Sequence, residues 1–382
     1  MNKIYQTKII TVLMVLVLSN VCSAADQKSR TTDVFEKTVK RPQSIDHRKN
    51  KNKTDVRDHR RTGKRPVSID HRRPNKSSRP YPPPRAGRPL NQKDNDRDGI
   101  ADSLEVEMAN KFSPILRLPP ASKDWTRPAN VDWYLQRVQL RFENKGACNR
   151  DDQVFKVGQV NQNNLARQSK RDKDATWRGC KRNGTKRYSN SSTRFFLQTA
   201  DKYHKGAHPS EWKAYVHVKK STAVRNGYDI QYWFFYAYND SVGSFNHEGD
   251  WEHITISVNK NLQFVEAIYA QHEYYSRYNR NQLTFLRNTH PVVYVADGSH
   301  ASYPRAGGFR IRNPINAAVN DYTYNGGPVW DTAGKLIHVG EKNYPLNQQY
   351  FIQYGGRWGE IGETRYTSGP TGPAFKPEWN GR

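Results

Sequence analysis

The chain has 382 residues and a net charge of +26, from 62 Lys and Arg against 36 Asp and Glu, and only 35% of its residues are apolar. No apolar run approaches the roughly 20 residues that span a bilayer as a helix, which excludes a transmembrane helix. The basic surplus lies mostly before residue 94, and its Arg-rich stretch from Lys40 to Pro80 contains no aromatic residue to stack on bases, which excludes sequence-specific nucleic-acid reading.

Lys3 and Lys8 precede an apolar run from Ile9 to Leu18 and then "SNVCSAAD", the pattern of a secretory signal peptide over residues 1–25 with cleavage near Ala24 or Ala25. The expected location is secreted or periplasmic. Ser19, Asn20 and Val21 make a poor lipidation signal for Cys22. Cleavage leaves Cys148 and Cys180, an even pair in an oxidising compartment, for which a disulfide worth roughly 3 to 4 kcal/mol is expected.

Residues 26–93 form the next segment. From Gln27 to Lys93 there are 21 Lys and Arg against 6 Asp and Glu, too much charge and too few apolar side chains to offset ordering entropy, so a disordered basic tail is expected. Within it "KRPQSIDHR" (Lys40 to Arg48) recurs as "KRPVSIDHR" (Lys64 to Arg72), and "RPYPPPRAGRP" reads as a polyproline spacer. The tail is either a solvated linker or propeptide, or an anchor for polyanions such as lipopolysaccharide, anionic lipid or nucleic acid through counterion release.

A calcium-binding loop and helix are expected over residues 94–112. "DNDRDGIADSLE" sets Asp94, Asp96, Asp98, Asp102 and Glu105 at positions 1, 3, 5, 9 and 12 of a twelve-residue loop, with Gly99 at position 6. Asp94, Asp96, Asp98 and Glu105 would ligate Ca2+ with the Ile100 carbonyl, and Asp102 directly or through water. Leu104, Met108 and Phe112 give the exiting helix one apolar stripe. The competing reading is a well-capped acidic helix start.

From residue 113 to 382 the pattern has period two, in short Tyr, Trp, Val and Ile runs divided by Gly, Asn and Pro. Strands are expected in Trp133 to Glu143, Glu211 to Lys220, Asp229 to Asn239, Trp251 to Asn259, Gln263 to His272 and Pro291 to Asp297. The fold class is mainly β, a β-sandwich-like domain with few helices behind the tail.

"FNHEGDWEHITISVN" places His247, Glu248, Asp250, Glu252 and His253 within seven residues at the start of a strand. Alternation sends Asp250 and Glu252 to the face of Ile254, Ile256 and Val258, so two carboxylates stand at the rim of a buried face. His247 sits in the turn, Asp240 follows the preceding strand, and "VVYVADGSHASYP" presents Asp297 and His300 at another strand end. The pattern fits a second divalent cation of unknown identity on Asp240, His247, Asp250 and Glu252, with His300 nearby. It also fits a buried ion and hydrogen-bond network with Arg305 or Arg310.

The order "FSPILRLPP", "PANVDWYL", "YWFFYAYN", "NHEGDWEHITISV", "VVYVADGSHASYP" and "GGRWGEIG…SGPTGPAFKPEW" resembles the vacuolar protein sorting-associated protein 62 family across Ser113 to Trp379. "HEGDWEH" is similar to the heptapeptide of the necrosis- and ethylene-inducing peptide-like proteins, secreted β-sandwich cytolysins whose heptapeptide holds a divalent cation used on membrane glycolipid headgroups. That likeness implies His247, Asp250 and Glu252 as ligands, with Asp240 one residue out of register; Glu248 and Gly249 depart from the toxin pattern.

No nucleophile elbow, zinc-protease motif or phosphate-binding glycine loop is present. The leading expectation is a secreted metal-binding protein that engages anionic or glycosylated surfaces and is membrane-active. The alternative is a metal-dependent hydrolase of phosphodiesters or glycans, with His300 or His253 moving protons. A structural envelope protein is the third reading.

Overall fold

The computed structural model of the protein describes residues 93–143, 151–170, 194–241, 245–311 and 319–381, all within the unit Gly87–Arg382. The leader, the basic tail, Cys148 and Cys180 lie outside the described residues. The acidic loop runs into helix α1 (Asp102–Lys111), whose Met108 is buried and continues to buried Phe112. Strands β1 (Ile115–Arg117) and β2 (Pro128–Ala129), helix α2 (Val131–Leu135), β3 (Val138–Phe142), β4 (Asp152–Phe155), α3 (Gln162–Lys170) and β5 (Phe195–Thr199) follow. The central strands are β6 (Ala214–Lys220), β7 (Tyr228–Asn239), β8 (His247–Val258), β9 (Phe264–Gln271) and β10 (Tyr274–Tyr278). The remainder are short: β11 (Phe285–Leu286), β12 (His290–Val295), β13 (Ser302–Tyr303), β14 (Gly307–Arg310), β15 (Asn320–Thr323), β16 (Val329–Asp331), β17 (Leu336–His338), β18 (Gly340–Glu341) and β19 (Tyr344–Pro345).

Two sheets dominate, and the fold is mainly β with three helices among the described residues. One runs β10-β9-β8-β7-β6-β17 with β2 on β7; the other runs β11-β12-β1-β16 with β13 on β12. The β7–β8 ladder extends from Tyr228 opposite Val258 to Asn239 opposite His247. Both faces of β7 are covered, which is why it runs apolar and aromatic from Tyr232 to Tyr238. On one face Phe234 meets Trp330 of β16 at 5.7 Å between ring centroids, and Tyr269 of β9 donates to the Val292 carbonyl of β12 at 3.2 Å. Those contacts pack the second sheet on the first. On the other face Phe235, Trp251, Phe351 and Trp358 form an aromatic cluster with centroids 4.9 to 5.7 Å apart.

Three local expectations change. The run from Trp133 is helical before it is extended, because Asn130 caps α2 by accepting the Trp133 amide at 2.7 Å; the strand starts at Val138. Residues 209–211 form a 3-10 turn, so β6 begins at Ala214. Strand β8 begins at His247 instead of Trp251, so the acidic cluster is strand and not turn. Gly249 makes that possible: it sits at φ +64°, and a Cβ there would stand 2.1 Å from the Trp358 carbonyl oxygen.

Candidate functional site

The turn end of the β7–β8 hairpin, where Asn239 faces His247, is assembled from three chain segments. The Gly298 turn docks on the end of β7 through an Asp240 amide to Gly298 carbonyl bond of 3.0 Å. Gly298 is at φ +70° and a Cβ would approach the Asp240 oxygen to 2.2 Å, so only glycine permits this approach. The Gly298 amide donates to Asp124 Oδ2 at 3.1 Å, tying in the segment before β2. His300, at φ +57°, is thereby laid flat on Tyr236, 3.7 Å between centroids and 3° between planes.

His300 is 1% exposed and both its nitrogens are occupied. Nδ1 lies 2.9 Å from Asp250 Oδ2, Nε2 lies 2.7 Å from Thr126 Oγ1, and Asp124 Oδ2 is 3.6 Å from Nε2. Thr126 has one hydroxyl proton, which goes to Asp124 Oδ1 at 2.6 Å, so its oxygen accepts from Nε2. Asp250 accepts from Nδ1. The ring is held between two buried carboxylates, Asp250 and Asp124. Burial alone would raise the Asp250 carboxyl, but the His300 hydrogen bond and charge, with His247 and Lys376, hold it below the usual range. Glu252, half-buried on the same face, moves the opposite way. Burial, then the Asp250 charge, pushes it well above the usual range, with Lys376 opposing.

The four residues expected to share a cation are not gathered. Among the described residues no three of Asp240, His247, Asp250 and Glu252 bring donor atoms within 4.8 Å of one another. Each of three has protein partners instead. Asp240 accepts from the Trp125 indole at 2.6 Å and from Asn246 at 3.2 Å, His247 Nδ1 donates to the Gly249 carbonyl at 2.8 Å, and Asp250 also takes Asn239 at 3.3 Å. The residues present do not fit a shared cation as placed. Asp250 is instead joined to His300 and Asn239, and Arg305 is turned to the Phe309 ring at 5.2 Å. His253 points to the opposite face of β8, stacked on Trp233 at 4.1 Å, and burial pushes it down to about 3. His300 and His253 are both buried, and His253 lines a small cavity with Thr255, Arg277 and Glu378.

Asp124, Trp125 and Thr126 join this end of the hairpin although the sequence did not single them out. Their role depends on a contact 174 residues away in sequence. Trp125, 45% exposed, stands with Tyr238 at 6.0 Å between centroids, while Asp297 accepts from the Tyr322 amide at 3.3 Å and the Tyr324 hydroxyl at 2.8 Å. Lys123 sits over the Tyr324 ring at 5.8 Å. On the far side of Asn246, Phe245 meets Tyr366, with Arg365 4.6 Å over that ring. Arg365 is also paired with Glu273 at 3.1 Å.

At the opposite end of the hairpin the acidic loop does converge. Donor oxygens of Asp96, Asp98 and Glu105 lie within 4.8 Å of one another, as do those of Asp94, Asp96 and Asp102. Asp94 Oδ1, both oxygens of Asp96, Asp98 Oδ2 and Glu105 Oε2 are buried without a hydrogen bond. Desolvation first, and neighbouring carboxylates second, push Asp96 up to about 7 and Glu105 up to about 9. Asp102 stands at the edge, with both oxygens accepting from Asn95. Five orphaned carboxylate oxygens are what a hard cation satisfies, so these residues fit Ca2+.

Comparison with known proteins adds the relationships. The yeast Saccharomyces cerevisiae vacuolar protein sorting-associated protein 62 is 26% identical over 321 residues, covering 69% of this chain and 64% of that protein. The chain therefore spans just under two thirds of that relative's length. Among solved structures, Necrosis and Ethylene inducing Protein 2 from the causal agent of cocoa's Witches Broom disease is 14% identical, with TM-score 0.28 over 52% of this chain and 67% of that one. NLPPya in complex with glucosamine is 12% identical, with TM-score 0.30 over 68% of this chain and 80% of that one. The family model described as vacuolar protein sorting-associated protein 62 matches residues 106–367. The chain belongs to the vacuolar protein sorting-associated protein 62 family.

Proposed function

We propose that this protein is an exported surface-binding module, fastened by Ca2+ in the loop 94–105, that engages anionic, glycosylated surfaces through the rim around Trp125. The observation that carries the reading is Trp125 itself. A large aromatic left 45% exposed, yet held by its indole N–H to Asp240, is pre-organised for contact and loses little entropy on binding. Lys123, over the Tyr324 ring and two residues from Trp125, adds positive charge of the kind an anionic headgroup requires. Export rests on the leader sequence, and the basic tail would add counterion-release affinity. The surface-binding reading is preferred to the hydrolase because His300 is buried against Asp250 and His253 is stacked on Trp233.

The test is co-sedimentation with lipopolysaccharide-containing vesicles against neutral phosphatidylcholine vesicles. Trp125→Ala, which deletes a half-exposed side chain, should fold normally and bind about tenfold to thirtyfold more weakly, the cost of an interface anchor worth about 1.4 to 2 kcal/mol. Turnover of a phosphodiester or glycan by wild type would instead favour the hydrolase.

A further inference from the structure

The calcium loop borders a cavity of about 330 Å3 at the end of β6, in the size range of small-ligand sites, about 300–1,000 Å3. Asp96 and Asp98 belong to both structures: they line the cavity and they supply converging oxygens to the loop. Asp96 is 1% exposed with both oxygens unpartnered, so a group that this cavity and loop are built around satisfies them. The two converging sets share Asp96 and together offer a cation carboxylate oxygens from five residues, Asp94, Asp96, Asp98, Asp102 and Glu105. Calcium takes six to eight oxygens, so positions remain for oxygens from outside the protein.

The rest of the cavity says which oxygens. Asp96, Asp98 and Glu341 face Arg97, Lys219 and Lys220, a balance of three acidic and three basic groups that does not select a polyanion. Glu341 is steadied by His217 at 3.1 Å, while Lys219 and Lys220 each give one of three ammonium protons to a carbonyl, of Asn380 at 2.7 Å and Asp98 at 3.0 Å, and keep the others. Asn343 offers both a donor and an acceptor. Tyr344, 43% exposed, has its ring fixed by the Arg97 guanidinium at 4.4 Å. Arg97 holds φ +65° to make that contact. Mixed donors and acceptors around a cation, beside an anchored aromatic ring, suit hydroxyls, each of which donates and accepts at once.

We infer that this cavity is a saccharide site in which two neighbouring hydroxyls of the sugar complete the coordination of the loop calcium, with Asn343, Glu341 and the lysines taking up their hydrogen bonds and Tyr344 flanking the ring. The inference rests on the calcium reading above. Strand β7 separates this site from the Trp125 rim by roughly 40 Å, at about 3.3 Å for each of its twelve residues, so the two sites meet different sugars or headgroups.

Two measurements on the full chain separate the inference from the reading beneath it. Calorimetric titration of CaCl2 into wild type and Asp96→Asn tests calcium alone: wild type binds and the variant loses at least tenfold. A printed array of neutral and acidic saccharides, probed in Ca2+ and in EGTA, tests the site. Calcium-dependent binding that Asn343→Ala and Tyr344→Ala each weaken at least fivefold, with calcium affinity unchanged, is the expected result. Calcium binding with no such saccharide, saccharide binding that persists in EGTA, or inorganic phosphate competing in its place overturns the saccharide site and leaves the calcium loop standing. Absence of calcium binding overturns both.

Discussion

Replacing Asp250 by Ala tests how the buried network is held. Asp250 is 4% exposed and His300 1% exposed, with 2.9 Å between Oδ2 and Nδ1. Removing one partner of a buried, hydrogen-bonded charge pair costs about 3 to 5 kcal/mol, because the remaining group is left uncompensated. Asp124, at 3.6 Å from Nε2, offsets part of that, which places the expected loss near the lower figure. At roughly 2 to 4 °C per kcal/mol for a domain of this order of size, the midpoint should fall by about 6 to 12 °C. The assay is thermal unfolding followed by circular dichroism, with His300→Ala and the double variant alongside. The double variant should be no worse than the sum of the singles less about 1 kcal/mol, the coupling expected of contacting residues. The acid limb supplies a second readout. The Asp250 carboxyl is held below its ordinary value of 3.8, so its contribution is fully present above about pH 4 and is lost as pH falls through the native value. Asp250→Ala should therefore narrow its gap from wild type as pH drops below 4. A midpoint within 2 °C of wild type at pH 7, or strictly additive singles, would show that the network does not hold this end of the sandwich.

Other outcomes follow from the same structure. Chelation should lower the wild-type midpoint, and restoring calcium at a hundred times its Kd should return about 2.7 kcal/mol; Glu105→Gln should be insensitive to both treatments in a melting assay. His253 has its native value pushed from 6.5 down to about 3, so its contribution is complete above pH 6.5 and lost as pH falls towards 3. His253→Gln should flatten the stability profile between those values, and parallel profiles would refute the assignment. Gly298→Ala forces a Cβ to 2.2 Å from the Asp240 oxygen at φ +70° and should cost more than about 1 kcal/mol, measured by denaturant midpoint, with surface binding reduced as the rim shifts. Elemental analysis of dialysed protein should find one calcium per chain, retained by Asp250→Ala; a second metal missing from that variant would restore the shared-cation reading of Asp240, His247, Asp250 and Glu252.

Much of this was legible in the residues. The period-two runs located β7, β8, β9 and β12, because a strand buried on at least one face must alternate or run apolar. Even-numbered alternation put Asp250 and Glu252 on one face of β8, as found, with Phe234 and Tyr236 opposite them. The spacing of acids and Gly99 in the loop anticipated the converging oxygens. What sequence could not supply was the partner. Asp124 and Thr126 reach His300 only after the Gly298 turn docks on Asp240, and no local pattern encodes that approach. For the same reason Asp240 looked like a free ligand, when the Trp125 indole occupies it. The helical turn at Val131 was hidden because its cap, Asn130, sits in front of a run that otherwise alternates.

Surface binding decides the central proposal most directly. Wild type and Trp125→Ala, with matched melting curves, would be titrated against lipopolysaccharide-containing vesicles in calcium at physiological ionic strength. The account predicts saturable binding by wild type, absent on neutral vesicles, and a loss of tenfold or more in the variant. Equal binding by the two proteins, or none by either, would contradict it.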